Sequence, residues 1–424
     1  MAFEKKVGNF ALTSGTGSQS VTGVGFLPKL VIFFATRLTI DGVTAHNICS
    51  IGAATSSSEE RCVSGEDKDA VATTDCGMEW RNDACCSVMQ PGTFSRLYAF
   101  DLTSMDSDGF TINKSVRADG VAYQIGYVAL GGSDLTNVKV GDFTLETDAQ
   151  QDVTGLGFDP DCVLFFSALT TNVSGDRDDK GVVMSYGWAA GSSAQGNIGG
   201  STQDNVGTSQ CNRAIKNDKC ISGLQYNANT TIEGESDFNS FISGGFRLDH
   251  TNTWPSAYRV CYIALKGLQY ATGDFSTVAT APTDITESGL SFEPELAFFN
   301  HCMQNSFGTA NDMRFGFGAA SDPSEEISVG AYSDDNKGTS DTGSQYDNDE
   351  VYTRWSPSGG ITGRVELKQF NSDGFTVTQT DADTVNQSEV IWLAIGPSAA
   401  PTAEKRGALY RQRNLNYSTM QMGS

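Results

Sequence analysis

Gly25-Phe26-Leu27-Pro28-Lys29-Leu30-Val31-Ile32-Phe33-Phe34 is the stretch on which the fold turns, because the chain repeats it. It returns as Gly157-Phe158-Asp159-Pro160 followed by Cys162-Val163-Leu164-Phe165-Phe166. A third version reads Phe292-Glu293-Pro294 and then Leu296-Ala297-Phe298-Phe299. Upstream of each lies an opening marker, Gly8-Asn9-Phe10, Gly141-Asp142-Phe143 and Gly273-Asp274-Phe275, whose phenylalanines stand 133 and 132 residues apart. Downstream come Tyr127-Val128-Ala129-Leu130, Tyr262-Ile263-Ala264-Leu265 and Trp392-Leu393-Ala394-Ile395. Opening Phe and closing Ala are separated by 119, 121 and 119 residues. Three markers kept in register three times mean tandem homologous units.

The local chemistry of the markers is that of strands. Short runs of aromatic and β-branched residues suit strands buried on both faces or in a sandwich core. Pro28, Pro160 and Pro294 stand just ahead of such runs, where a missing N–H costs the ladder little. Asp108-Gly109 and Asp373-Gly374 are turn formers followed by alternating Phe110-Thr111-Ile112 and Phe375-Thr376-Val377. The expected fold is all-β: three antiparallel, jelly-roll-like sandwiches over residues 1–135, 136–268 and 269–396, then an extended arm over 397–424. A period of about 130 residues is too long for a solenoid, so each unit is expected to close its own core.

The 424 residues carry 28 Lys and Arg against 51 Asp and Glu, a net charge of −23. That balance excludes a generic nucleic-acid binder, which needs a basic face. No apolar run approaches the roughly 20 residues of a membrane helix. The charged opening MAFEKKVGNF carries no signal-peptide pattern, so a protein folded in the cytoplasm and not secreted is expected. Ten cysteines are unevenly spread, with only Cys302 in the last third, and no CxxC occurs. Buried free thiols are expected, with no disulfide framework and no zinc site.

The middles of the copies diverge. Residues 40–95, 172–240 and 333–350 are polar and read as long surface loops. The three histidines, His46, His250 and His301, fall at unrelated points of the repeat, and no hydrolase, P-loop or dinucleotide motif occurs. Glu59/Glu60, Asp178/Asp179 and Asp347/Asp349 could serve as glycosidase carboxylates, but 51 acidic residues produce such pairs freely. Asp334, Asn336, Asp347 and Asp349 match no EF-hand calcium loop. The expectation is therefore a non-enzymatic protein with no cofactor and no metal. Trp80, Trp188, Trp254 and Trp355 lie outside the repeat markers and are candidate glycan contacts, because indole faces stack on sugars. The tail reverses the charge of the chain and mixes Lys405, Arg406, Arg411 and Arg413 with Leu409, Tyr410 and Tyr417. It reads as a docking arm that orders on an acidic neighbour.

The repeated frame, carried by Val21-Thr22-Gly23 with Phe26 and Pro28 and by Val153-Thr154-Gly155 with Phe158 and Pro160, resembles β-sandwich modules in virion proteins of tailed bacteriophages. The third copy departs from it, with Ile285-Thr286-Glu287 and an extra Ser before Gly289. The resemblance implies a virion structural protein, a capsid decoration or other head or tail component, whose partners are other virion subunits. Its alternative is a receptor- or glycan-binding fibre protein that uses the variable loops in virus–host contact. Three homologous units in one chain also make a pseudo-trimer an expected arrangement.

Overall fold

The computed structural model describes residues 3–398 except 94, 357–359 and 384–386. The candidate arm residues Lys405, Arg406, Leu409, Tyr410, Arg411, Arg413 and Tyr417 lie outside the described residues. Every regular element described is a strand, so the all-β class holds.

In the first unit the large sheet runs Glu4–Ala11, Gln124–Gly131, Pro28–Ala35, Asn47–Ser56, Glu59–Asp67, Cys76–Arg81. Facing it is a small sheet ordered Gly17–Thr22, Gly109–Arg117, Arg96–Asp106, Cys86–Met89. The same six-plus-four order recurs in the other two units. Ten strands exceed the eight of a jelly roll. The surplus comes from the segments read above as loops: Asn47–Ser56, Glu59–Asp67 and Cys76–Arg81 form an antiparallel meander, as do their counterparts. That reading is corrected for a physical reason. These strands are rich in Gly, Ala and Ser and are buried on both faces, so they lack the alternation that marks a half-exposed strand.

Alternate residues of the marker strand serve two cores. Val31 and Phe33 point between the two sheets, where Phe33 meets Phe100 and Phe110 edge-on at 5.2 and 5.5 Å. Phe165 against Phe246 (5.5 Å) and Phe299 against Phe375 (5.6 Å) repeat the contact. Ile32 and Phe34 point the other way, into a core common to all three units. There Phe34 lies 5.7 Å from Phe317, and Tyr186 of the second unit lies 4.9 Å from the same ring. Each unit thus fills its own sandwich but also lends the outer face of its large sheet to a shared interior, so self-sufficient cores are only half of the arrangement.

Two large sheets end on a borrowed strand. Gly42–Ala45 of the first unit pairs with Thr342–Asp347 of the third, and Gly308–Asn311 of the third pairs with Cys211–Lys216 of the second. A reciprocal bridge from Asp178 of the second unit to Met78 closes onto the first. The pairing is cyclic: first onto third, third onto second, second onto first.

Candidate functional site

Ladder registers fix which residues correspond between units. Phe33, Phe165 and Phe299 pair with Gly52, Gly187 and Gly318, and these in turn with Cys62, Asn197 and Ser328. Counting along the same ladders makes Asp69, Asp204 and Asp335 equivalent. Each of these carboxylates leaves its unit and accepts a backbone N–H at the start of a neighbour's edge strand: Asp204 from Cys76 (2.8 Å), Asp335 from Cys211 (2.9 Å), Asp69 from Thr342 (2.9 Å). The next residues, Ala70, Asn205 and Asn336, all have φ between 56° and 59°. The left-handed turn directs two successive N–H groups to one residue of the neighbour: Ala70 and Val71 donate to Ser340, Asn205 and Val206 to Thr74, and Asn336 and Lys337 to Ser209. One device therefore builds all three joints, and an exposed sheet edge, which would otherwise recruit foreign strands, is covered from within the chain.

At the centre the joints converge on Asp67, Thr202 and Ser333, again equivalent positions. Asp67 Oδ2 accepts from Ser333 Oγ (2.7 Å) and Thr202 Oγ1 (3.2 Å). Its Oδ1 has no protein partner among the described residues. Burial pushes this carboxyl up to about 7, against the pull of the two hydroxyls and with help from Asp204 and Asp69. A second recurring buried group is Glu60, Gln195 and Glu326, each accepting the backbone N–H of Leu102, Phe238 or Leu367 in the facing small sheet. Burial raises Glu60 to about 7 and Glu326 to about 10. These side chains tie the two layers of each sandwich.

A cleft of about 440 Å³ lies where the second unit meets the first, lined by Asp178, Lys180, Gln225, Tyr226, Glu233 and Tyr258 among others. Tyr258 donates its hydroxyl to Glu233, so one wall is a fixed aromatic and carboxylate pair. The cleft can hold a small polar ligand, but its groups form no nucleophile–base pair among the described residues.

The four candidate sugar-stacking tryptophans are not at the surface. Trp80, Trp188, Trp254 and Trp355 are at most 4% exposed, and this corrects the expectation of open indole faces. Trp80 donates to the Asn172 carbonyl across the first joint, and Trp254 donates to Ser236. Trp188 packs on Tyr186, and Trp355 on Tyr332. They plug gaps left by glycines: a Cβ on Gly223 or Gly234 would sit 2.7 or 2.5 Å from the Trp254 ring. The acid pairs are likewise structural in part: Glu59 accepts from Thr55, and Asp178 accepts from Thr170 within a joint. His46 accepts from the Asp69 N–H, His250 bonds Ser236 and Gln151, and His301 lies against Tyr352, so the three share no partner. All ten cysteines are buried and free. Burial raises the thiols, for example Cys49 to about 12, which leaves them un-ionised.

No protein-family model and no curated protein matches the chain. Among solved structures, a bacterial polysaccharide outer membrane secretin aligns at 8% identity over 88% of this chain and 99% of that one, with a TM-score of 0.11. A T=1 particle derived from infectious bursal virus aligns at 9% identity over 94% and 65%, with a TM-score of 0.08. At such scores neither alignment bears on fold or function.

Proposed function

We propose that the protein is a non-enzymatic structural component of a tailed-bacteriophage virion. In this reading it is a capsid-surface decoration or another head or tail part, docked to its neighbours through the arm over 397–424. The observation that carries the reading is the cyclic joint. Three homologous sandwiches interlock through the same carboxylate and the same left-handed turn, giving one chain the form of a small closed pseudo-trimer. Such a body matches sites of threefold character on a shell or fibre, and an acidic surface keeps it soluble before assembly. Mass spectrometry of purified particles tests this directly. Hundreds of copies per particle is the expected result, falling sharply on deletion of 400–424. A handful of copies supports the fibre or receptor-binding alternative, and absence from particles overturns both.

A further inference from the structure

Two of the three joints carry a built-in cation where the third carries acids. The strand residues paired with Cys62, Asn197 and Ser328 are Arg81, Lys216 and Asp347. Each opens an equivalent tripeptide: Arg81-Asn82-Asp83, Lys216-Asn217-Asp218, Asp347-Asn348-Asp349. The residue that follows is Ala84, Lys219 or Glu350. Across the joint, the positions preceding Gly175, Gly308 and Gly42 are Ser174, Phe307 and Asp41. In the first two joints, therefore, Ser174 and Phe307 lie beside a cation. Only in the third does an aspartate of one unit stand opposite an aspartate of another, which is unfavourable unless a positive charge lies between them.

The geometry shows the carboxylates gathered for such a charge. One oxygen from each of Asp41, Asp347 and Asp349 lies within 4.8 Å of the others. Asp347 and Glu350 are 4% and 3% exposed, and both line the same depression. Glu350 Oε2 has no partner among the described residues, while Oε1 has only Arg364 Nε at 3.4 Å. Around this hollow stand Asp41, Asp347, Asp349, Glu350, Glu366 and Asp381, against the single guanidinium of Arg364. A buried carboxylate oxygen left unpaired is costly unless a cation or proton completes it.

We infer that Asp41 of the first unit and Asp347 and Asp349 of the third, with the unpaired Oε2 of Glu350 in the same hollow, form a hard divalent-cation site, suited to calcium, that clamps the joint closing the ring. An all-oxygen, carboxylate-rich set with one solvent-open side, where water completes the coordination, suits calcium. A site split between residues 41 and 347–350 escapes any search for a contiguous calcium loop.

The test uses the full chain. Terbium luminescence should report one saturable site displaced by calcium, and millimolar CaCl₂ should raise Tm by about 2–5 °C over EDTA. Asp349→Asn and Asp41→Asn, both at exposed positions, should weaken terbium binding at least tenfold. Asp347→Lys, which supplies the charge found in the other two joints, should abolish binding and raise the metal-free Tm to near the calcium-bound value. Absence of saturable terbium or calcium binding up to millimolar concentration overturns the site. So does binding that both exposed-site variants leave unchanged.

Discussion

Gly52, Gly187 and Gly318 show how closely the layers approach. A Cβ at these positions would meet the carbonyl oxygen of Cys85, Cys220 or Val351 at 2.0, 2.3 or 1.8 Å, so the backbone entering the small sheet passes directly over them. At the same scale Asp67 sets a pH dependence. Its folded value of about 7 lies above the ~3.9 of an unfolded aspartate, so between those values the unfolded chain has lost a proton that the native state keeps. Native stability therefore falls as pH rises through that window, by roughly 1.4 kcal/mol per unit at most. Asp67→Asn keeps an acceptor for Ser333 and Thr202 without the charge. Its Tm relative to the parent protein should climb between pH 4.5 and 8, and a difference flat with pH would show that Asp67 ionises normally.

At the scale of elements, the joints depend on one carboxylate each. Asp204→Ala leaves the Cys76 N–H without its acceptor in a buried position, and this should cost about 1–3 kcal/mol. The loss should be local. Hydrogen exchange of Cys76–Arg81 is expected to accelerate well before that of Pro28–Ala35, which sits in the interior of the same sheet. Uniform acceleration across both strands would mean that the joint does not open as a separate step. The repeat markers themselves meet in a similar way. Asp108, from one marker, accepts from the N–H groups of Gly23 and Gly25 in another at 3.1 and 2.7 Å. In the third unit, where the sequence departs, only the longer Asp373–Gly289 bond (3.4 Å) corresponds.

At the scale of the molecule, the shared interior makes the units interdependent. Residues 1–135 alone would expose Ile32, Phe34, Ile51 and Val63, which the other two units cover. Losing that burial would cost roughly 1.5–3 kcal/mol per large side chain, comparable in sum with the whole stability of a domain of that size. The isolated first unit is therefore expected to bind a hydrophobic dye and lack a cooperative melt, while the full chain melts in one main transition. Three separate transitions in the full chain, or a sharp melt of the fragment, would contradict a shared core.

The sequence by itself determined the class of strand, the three-fold repetition and the inward residues of the marker strands. Hydrophobic periodicity, turn chemistry and internal self-similarity are local properties that survive in one dimension. Val31 to Phe34 reads as a strand buried on both faces or in a sandwich core, and nothing in that run says that its second face meets Phe317 and, through that ring, Tyr186. The Asn-Asp tripeptides that open at Arg81, Lys216 and Asp347 also stand in plain sight as a repeat. Their pairing across units does not, because each contact joins residues about 90 or more positions apart. Burial of the four tryptophans, conversion of polar middles into central strands, and the meeting of Asp41 with Asp347 all follow from how the sheets pack. Only the tertiary structure decided them, since solvent exclusion and charge proximity depend on distances in space that chain order does not encode.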